Sequence, residues 1–366
     1  MKILINMRYK HYILLWLICF IVPRFLHAQS FNKSTVRSFK ANSSTAVNIT
    51  NKYGKVHVNT WNKDSVLIEI NFYGEATSDA KLEDIKESIN FDISSSGNAI
   101  TAQTVFQKSG GIITEFVDAF VPSSQVVIDY TLYIPMDVNL NINNKFGNVY
   151  VDDFKGDVNI NIANGDLKAN ELEGSTTLRL SSGDADIDKV SNGEFFLSYS
   201  NLDIDEVIGL QLETRSSRIN IEEANYLRLK SRRDKYKLGM IKELMGTGNL
   251  STISIEEFND EFNVEMKYGG VELESIEPEF TFVNISSEYT DIDINFQREC
   301  NYILDITHHQ DAMLKIPSKI KVKTENLNPS EKLLLTFGQY GNVAASTIPK
   351  VKISALKKCM INILQQ

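Results

Sequence analysis

The chain has 366 residues, 38 of them basic and 47 acidic, for a formal net charge of −9, and 42% of it is hydrophobic. Those values exclude wholesale disorder, and the acidic balance argues against a nucleic-acid protein, whose phosphate contacts need a basic footprint. Three cysteines, Cys19, Cys300 and Cys359, make neither a disulfide framework nor a four-ligand zinc site by themselves.

Residues 1–28 begin with a basic stretch (Lys2, Arg8, Lys10), run apolar over 12–22 and end on Leu26-His27-Ala28. That layout predicts a secretory signal peptide with the mature chain starting near Gln29. An uncleaved anchor would want about 20 apolar residues. Cleavage removes four basic and no acidic residues, leaving a net charge of −13. Cys300 and Cys359 remain, either bridged in an oxidising compartment or as separate buried thiols; their spacing is compatible with both.

Residues 29–145 read as a β-rich N-terminal cap region. Strands are expected at 66–72, 89–93, 100–106, 126–134 and 138–142, with a short amphipathic helix at Asp79–Ser88 and a loop at 107–120 around Gly110-Gly111.

Residues 146–300 repeat. The pattern apolar-x-apolar-x-x-apolar occurs as Val149-Val151-Phe154, Leu167-Ala169-Leu172, Ala185-Ile187-Val190 and Leu202-Ile204-Val207, and continues to Val271-Leu273-Ile276. Successive copies start 17 or 18 residues apart. Each unit holds a second alternation, such as Phe195-Leu197-Tyr199 or Leu227-Leu229. Period 2 means strands with one face in and one face out. A unit is therefore read as two short strands and two turns. The turns carry Asn164-Gly165-Asp166, Ser182-Gly183-Asp184, Tyr199-Ser200-Asn201 and Tyr268-Gly269-Gly270, residue types that suit positive φ. The unit with Leu244-Met245-Gly246 reads as bulged or looped. No proline interrupts 146–277, as continuous ladders require. Stacking such units buries what one unit cannot, so the predicted fold is all-β: a single-stranded β-solenoid (β-helix) of 17–18-residue, two-strand rungs with β-rich caps at both ends. The register places Ile187, Ile204, Ile221, Leu238 and Ile255 in one inward column. Aromatics recur before the turns at Tyr53, Phe146, Tyr199, Tyr268, Tyr289 and Tyr340. A packed ladder is the expectation for them; a sugar-stacking stripe would need them exposed.

Residues 301–366 form the C-terminal cap. Strands are expected at 303–307 and 333–337, a polar linker at 323–332, a further repeat copy at Val343-Ala345-Ile348, and a basic end over 350–358.

One constellation is distinctive: the signal segment, then Lys52-Tyr53-Gly54-Lys55-Val56-His57-Val58 with Trp61, then Tyr133-Ile134-Pro135-Met136-Asp137-Val138 leading into Lys145-Phe146-Gly147-Asn148-Val149, then repeats with Asn-Gly-Asp and Ser-Gly-Asp turns. The chain thereby resembles the bacterial DUF4097-type adhesin family over nearly its whole mature length. The resemblance implies an exported, adhesin-like β-solenoid with no catalytic residues to carry over. Later turns, Ser216-Ser217-Arg218 and Arg233-Asp234-Lys235, depart from the Gly-Asp form.

No nucleophile elbow, Walker loop or dinucleotide fingerprint occurs in the sequence, so the expected function is non-catalytic: an adhesin-like surface or envelope binding or scaffold protein. The alternative is a carbohydrate-active β-helix enzyme, a polysaccharide lyase or hydrolase, which would gather acids, an arginine and aromatics in one cleft. No cofactor is expected. Asp184, Asp186 and Asp188 alternate onto one face with oxygen ligands that suit Ca²⁺, but their turns lack the glycines of calcium-binding β-rolls, so a solvated face is preferred. Acids recurring after the second apolar position, from Asp152-Asp153 to Glu274, should stack into a ridge that lapses at Gly239-Met240. Beside the lapse lies a basic group, Arg228, Lys230, Arg232 and Arg233 with their neighbours, read either as neutralised within the coil or as a partner patch. The expected partner is an envelope protein or glycan, not nucleic acid, with no transmembrane span after signal removal. The expected location is the periplasm, cell surface or medium.

Overall fold

The computed structural model describes residues 29–108, 111–112, 125–341 and 348–366. The signal segment, most of the 107–120 loop, and Val343 and Ala345 of the outlying repeat copy lie outside the described residues.

Two compact units are present. The smaller holds Tyr73–Asn90 and the described parts of Met1–Lys33 and Phe106–Val126. Its helix, Asp79–Ser88, falls where the sequence predicts it. The Ser78 hydroxyl accepts from the Lys81 amide, Asp79 and Lys86 suit the two ends of the helix dipole, and Leu82 and Ile85 are buried.

The larger unit (Ser34–Phe72, Phe91–Val105, Val127–Gln366) is all β. Its sheet is long, unclosed and mostly parallel, an arrangement consistent with a β-solenoid. The strands Leu167–Ser181, Asp184–Ser198, Asn201–Arg215, Arg218–Arg232 and Lys235–Asn249 pair in sequence order, each with the next. Partners run Leu167↔Ala185↔Leu202↔Ile219↔Tyr236↔Ile253, so like positions stack. The predicted column is in register: Ile187, Ile204, Ile221, Leu238 and Ile255 are each at most 1% exposed. Earlier segments join the same ladder, Val56 pairing with Val149 and Leu140 with both Val47 and Val158. At the far end Lys350–Ala355 and Met360–Gln365 pair with successive stretches of Phe282–Phe296.

The turns differ in detail from the expectation. Each of these strands is continuous for 15 residues, and only two residues separate it from the next. The second expected turn is a bend within the strand, where pairing skips a residue near Asp188, Asp205 and Glu222. At the true turn the first residue takes the left-handed conformation: Asn164, Ser182, Tyr199, Ser216, Arg233, Leu250 and Tyr268 have φ between 54° and 63°. The glycine after it is needed for a different reason. A Cβ on Gly183 would sit 2.0 Å from the Gly165 carbonyl oxygen, and one on Gly165 would sit 2.1 Å from that of Gly147. Glycine here permits close stacking of turn on turn.

Three expectations are corrected. The unit with Leu244-Met245-Gly246 does carry a register shift, between Ile241 and Glu243, but it is not looped: these three residues pair on both sides, and Gly246 stands in the column of Leu229 and Val264, where a Cβ would strike the Leu229 carbonyl. The polar linker at 323–332 is largely strand: Lys321–Asn328 pairs antiparallel with Leu333–Tyr340, and its exposed faces hide the period-2 signal. Tyr340 is outside the turn column; it ends that antiparallel strand and stacks on Tyr302.

Cys300 and Cys359 are separate buried thiols. Burial pushes Cys300 up to about 12 and Cys359 up to about 11. Because an unfolded thiol ionises near about 8.5, their contribution to stability is intact below that pH and is lost as pH rises through the folded values. Both should resist iodoacetamide at pH 8 and react at once in denaturant; fast alkylation of the native protein would refute the burial.

Candidate binding surface

Outward side chains of the second half of each strand form one open face. Shallow depressions of ≈ 530 Å³ and ≈ 720 Å³ run together along it, sharing Phe196, Glu213, Lys230 and Thr247. A third, of ≈ 310 Å³, is lined by Asn139, Asn141, Asn159 and Thr177 with Arg179 and Glu194. Alternation explains the face: Leu178, Phe195, Leu212 and Leu229 point into the core while their neighbours point out. The face is graded. One end is an amide ladder, with Asn141 donating to Asn48 at 3.1 Å. In the middle the Arg179 guanidinium lies 4.6 Å over the Phe196 ring. Beyond come Glu213 and Lys230, 3.0 Å apart, and Arg228, which donates to the Tyr226 hydroxyl.

The predicted patch divides. Lys230 is paired with Glu213 and Lys237 with Glu256. Arg215 stands directly beside Arg232 on the neighbouring strand, and Arg218 beside Lys235. Arg233 is in the turn between. All five are exposed, and among the described residues none has a carboxylate within 4.0 Å. Neutralisation thus holds for Lys230 and Lys237 and fails at the turn edge.

The turn-edge aromatics are exposed rather than packed away: Phe146 by 41%, Tyr199 by 60%, Tyr268 by 45% and Tyr289 by 46%. Tyr53 stacks on Phe146 at 5.5 Å and Tyr268 on Tyr289 at 5.2 Å. The ladder and the exposure expected of a stripe therefore coexist.

The acidic ridge is interrupted by more than the lapse at Met240. Partners run Glu171↔Lys189↔Glu206↔Glu223↔Met240↔Glu257, and Lys189 bonds Glu206 at 2.7 Å, which pushes the ammonium pKa up. The Asp184, Asp186 and Asp188 side chains do share the outer face. Asp184 accepts from Asn201 at 2.7 Å and Asp186 from Lys168 at 3.3 Å. With two of the three committed to nitrogen donors, chelation with EDTA should shift the melting temperature by no more than a few degrees. A fall of ten degrees or more would promote this face to a calcium site.

A polar cluster under the turns escaped the sequence reading. Asp234 is 1% exposed. Its Oδ2 accepts from the Thr214 and Ser231 hydroxyls and the Arg232 amide, each at 2.7 Å, and its Oδ1 from the Ser217 amide at 2.7 Å. Thr214 also bonds the Tyr236 hydroxyl, whose pKa burial drives up. The signal was present: Ser200, Ser217, Asp234 and Ser251 replace the glycine that follows the left-handed residue, and all four turn inward.

No family model and no curated protein matches the chain. Several solved bacterial structures that resemble it bear adhesin or cell-adhesion names. A "putative adhesin" from Bacteroides fragilis is 10% identical with a TM-score of 0.29, covering 91% of this chain and 97% of that one. A "putative cell adhesion protein" from Clostridium sporogenes is 8% identical, TM-score 0.22, with coverage of 92% and 100%. A "putative lipid binding protein" from Parabacteroides distasonis is 10% identical, TM-score 0.29, with coverage of 90% and 96%.

Proposed function

We propose that this protein is an exported, non-catalytic β-solenoid of 17–18-residue rungs that binds a glycan or envelope protein along its graded face. The reading of residues 1–28 as a signal peptide supports export, and no described helix is long and apolar enough to cross a membrane. The observation that carries the proposal is the continuous open face, with amides at one end, a stacked Arg179–Phe196 pair in the middle and charge beyond. Amides pair with hydroxyls, the Arg179 guanidinium over the half-buried Phe196 ring offers a planar donor to a sugar oxygen, and a face repeating from strand to strand suits an extended polymer. A glycan and envelope-protein screen on the purified protein should yield a partner whose affinity drops when Phe196 and Arg179 are both replaced by Ala. Hits unaffected by that change, or no hit, would set the proposal aside.

A second reading, a polysaccharide lyase or hydrolase, is favoured by one observation: Glu194, Glu213 and Arg228 line the same depression. Acidic polysaccharides incubated with the protein should then yield unsaturated products or new reducing ends, and Glu194→Gln should abolish them.

A further inference from the structure

We infer that the turn edge formed by Arg215, Arg218, Arg232, Arg233 and Lys235, with Tyr199 at its margin, binds a polyanionic glycan whose carboxylates repeat along the coil. This rests on the binder reading and names its ligand class.

The starting point is a cost. Like charges directly opposite one another on neighbouring strands repel. Arg215–Arg232 and Arg218–Lys235 are two such pairs, one on each side of the same two stacked turns. Neutralisation is at hand elsewhere in this acidic chain: Lys189, Lys230, Lys237 and Lys267 each hold a glutamate within 3.2 Å. Here the one acid in the turn, Asp234, is buried. Its oxygens are taken by two backbone amides and two hydroxyls. Its charge softens the repulsion from below, yet it offers no oxygen to the cations above. Five cations are left facing solvent, and four are arginines, whose planar forks engage carboxylates two bonds at a time.

The neighbouring aromatic favours a glycan over an acidic peptide. Tyr199 occupies the turn column one step before Ser216 and Arg233. It is the most exposed aromatic of the column, held in the left-handed region at φ 55°. Tyr53, Phe146, Tyr268 and Tyr289 are stacked in pairs, whereas Tyr199 has no ring partner among the described residues. Its stacked neighbour is the small Ser216, so a ring face is left open beside the cations. The two members of each pair stand on strands about 4.8 Å apart, a spacing close to the rise of one sugar in an extended glycan. Carboxylates on two successive sugars would meet Arg215 and Arg218 at one turn and Arg232 and Lys235 at the next, while a further sugar covers Tyr199.

The test is calorimetry on the purified protein with three probes: a short oligogalacturonate, its methyl-esterified neutral form, and a poly-glutamate peptide of equal charge. Oligogalacturonate should bind best, its affinity should fall as salt rises, and the neutral form should not bind. Arg215→Gln with Arg232→Gln should weaken binding by about tenfold or more, a loss of about 1.4 kcal/mol or more. The melting temperature should hold or rise as repulsion is relieved, and Arg218→Gln with Lys235→Gln is the alternative if the first pair folds poorly. Tyr199→Ala should weaken oligogalacturonate and leave poly-glutamate unchanged. Poly-glutamate binding as tightly as the sugar, with no effect of Tyr199→Ala, would overturn the inference in favour of an acidic protein. Absence of binding by any probe would overturn it too. If partners from the screen still bound the arginine variants, the broader binder reading would survive that failure.

Discussion

Ile221→Asp should destabilise the protein by at least about 4 kcal/mol, seen as a lower denaturant midpoint or loss of the folded state. Ile221 is 1% exposed, between Ile204 and Leu238 on the flanking strands. An aspartate there meets aliphatic side chains above and below, with neither a donor nor a cation in the column. The ladder also prevents escape, because turning the residue outward would slip the register and turn its neighbours over with it. Ile221→Val, which removes one methyl group, should cost only about 1 kcal/mol and serves as the control. Equal effects for the two variants would refute the stacked core.

Asp234→Ala should be comparably damaging, by about 3 kcal/mol, although it removes a polar group from the interior. The carboxylate accepts from two backbone amides and two hydroxyls. Truncation leaves these donors buried, and an orphaned donor costs about 1 to 3 kcal/mol. The hydroxyls can rotate to other acceptors, since the Ser251 hydroxyl lies 2.8 Å from that of Ser231, but the Ser217 and Arg232 amides cannot. Asp234→Asn keeps one acceptor oxygen and should fall between. A wild-type midpoint for Asp234→Ala would show that the cluster contributes nothing.

The stacked parallel strands were legible because their signal is collective. A single strand of alternating residues is ambiguous; many copies at one spacing are not, and Ile187 to Ile255 stack in the column that spacing predicts. What escaped was local. Lys321–Asn328 is an exposed edge, where nothing selects for alternation. Gly246 looked like a break because glycine usually marks one, while here it lets two strands approach. Asp234 looked like one more surface acid in a charged run; only its place in the turn column turns it inward. At the candidate surface, alternation predicted that Arg228 and Lys230 face out, but not which cations would be neutralised. That depends on which residue stands opposite on the next strand: Glu213 beside Lys230, and Arg215 beside Arg232.

The stepwise pairing of these strands also decides how the molecule would bear a load. Each strand is bonded only to its neighbours, so tension along the stacking direction would break the rows of hydrogen bonds singly, like a zip. The rows are alike, so a broken row hands the force to another of similar strength, and extension would proceed in small, even steps rather than a single rupture. The row at Asp234 differs, because the carboxylate bonds that cross it are buried, whereas those crossing other rows, such as Asn201 to Asp184 and Lys230 to Glu213, are exposed. A tethered molecule pulled from both ends should lengthen readily up to that knot and then stiffen.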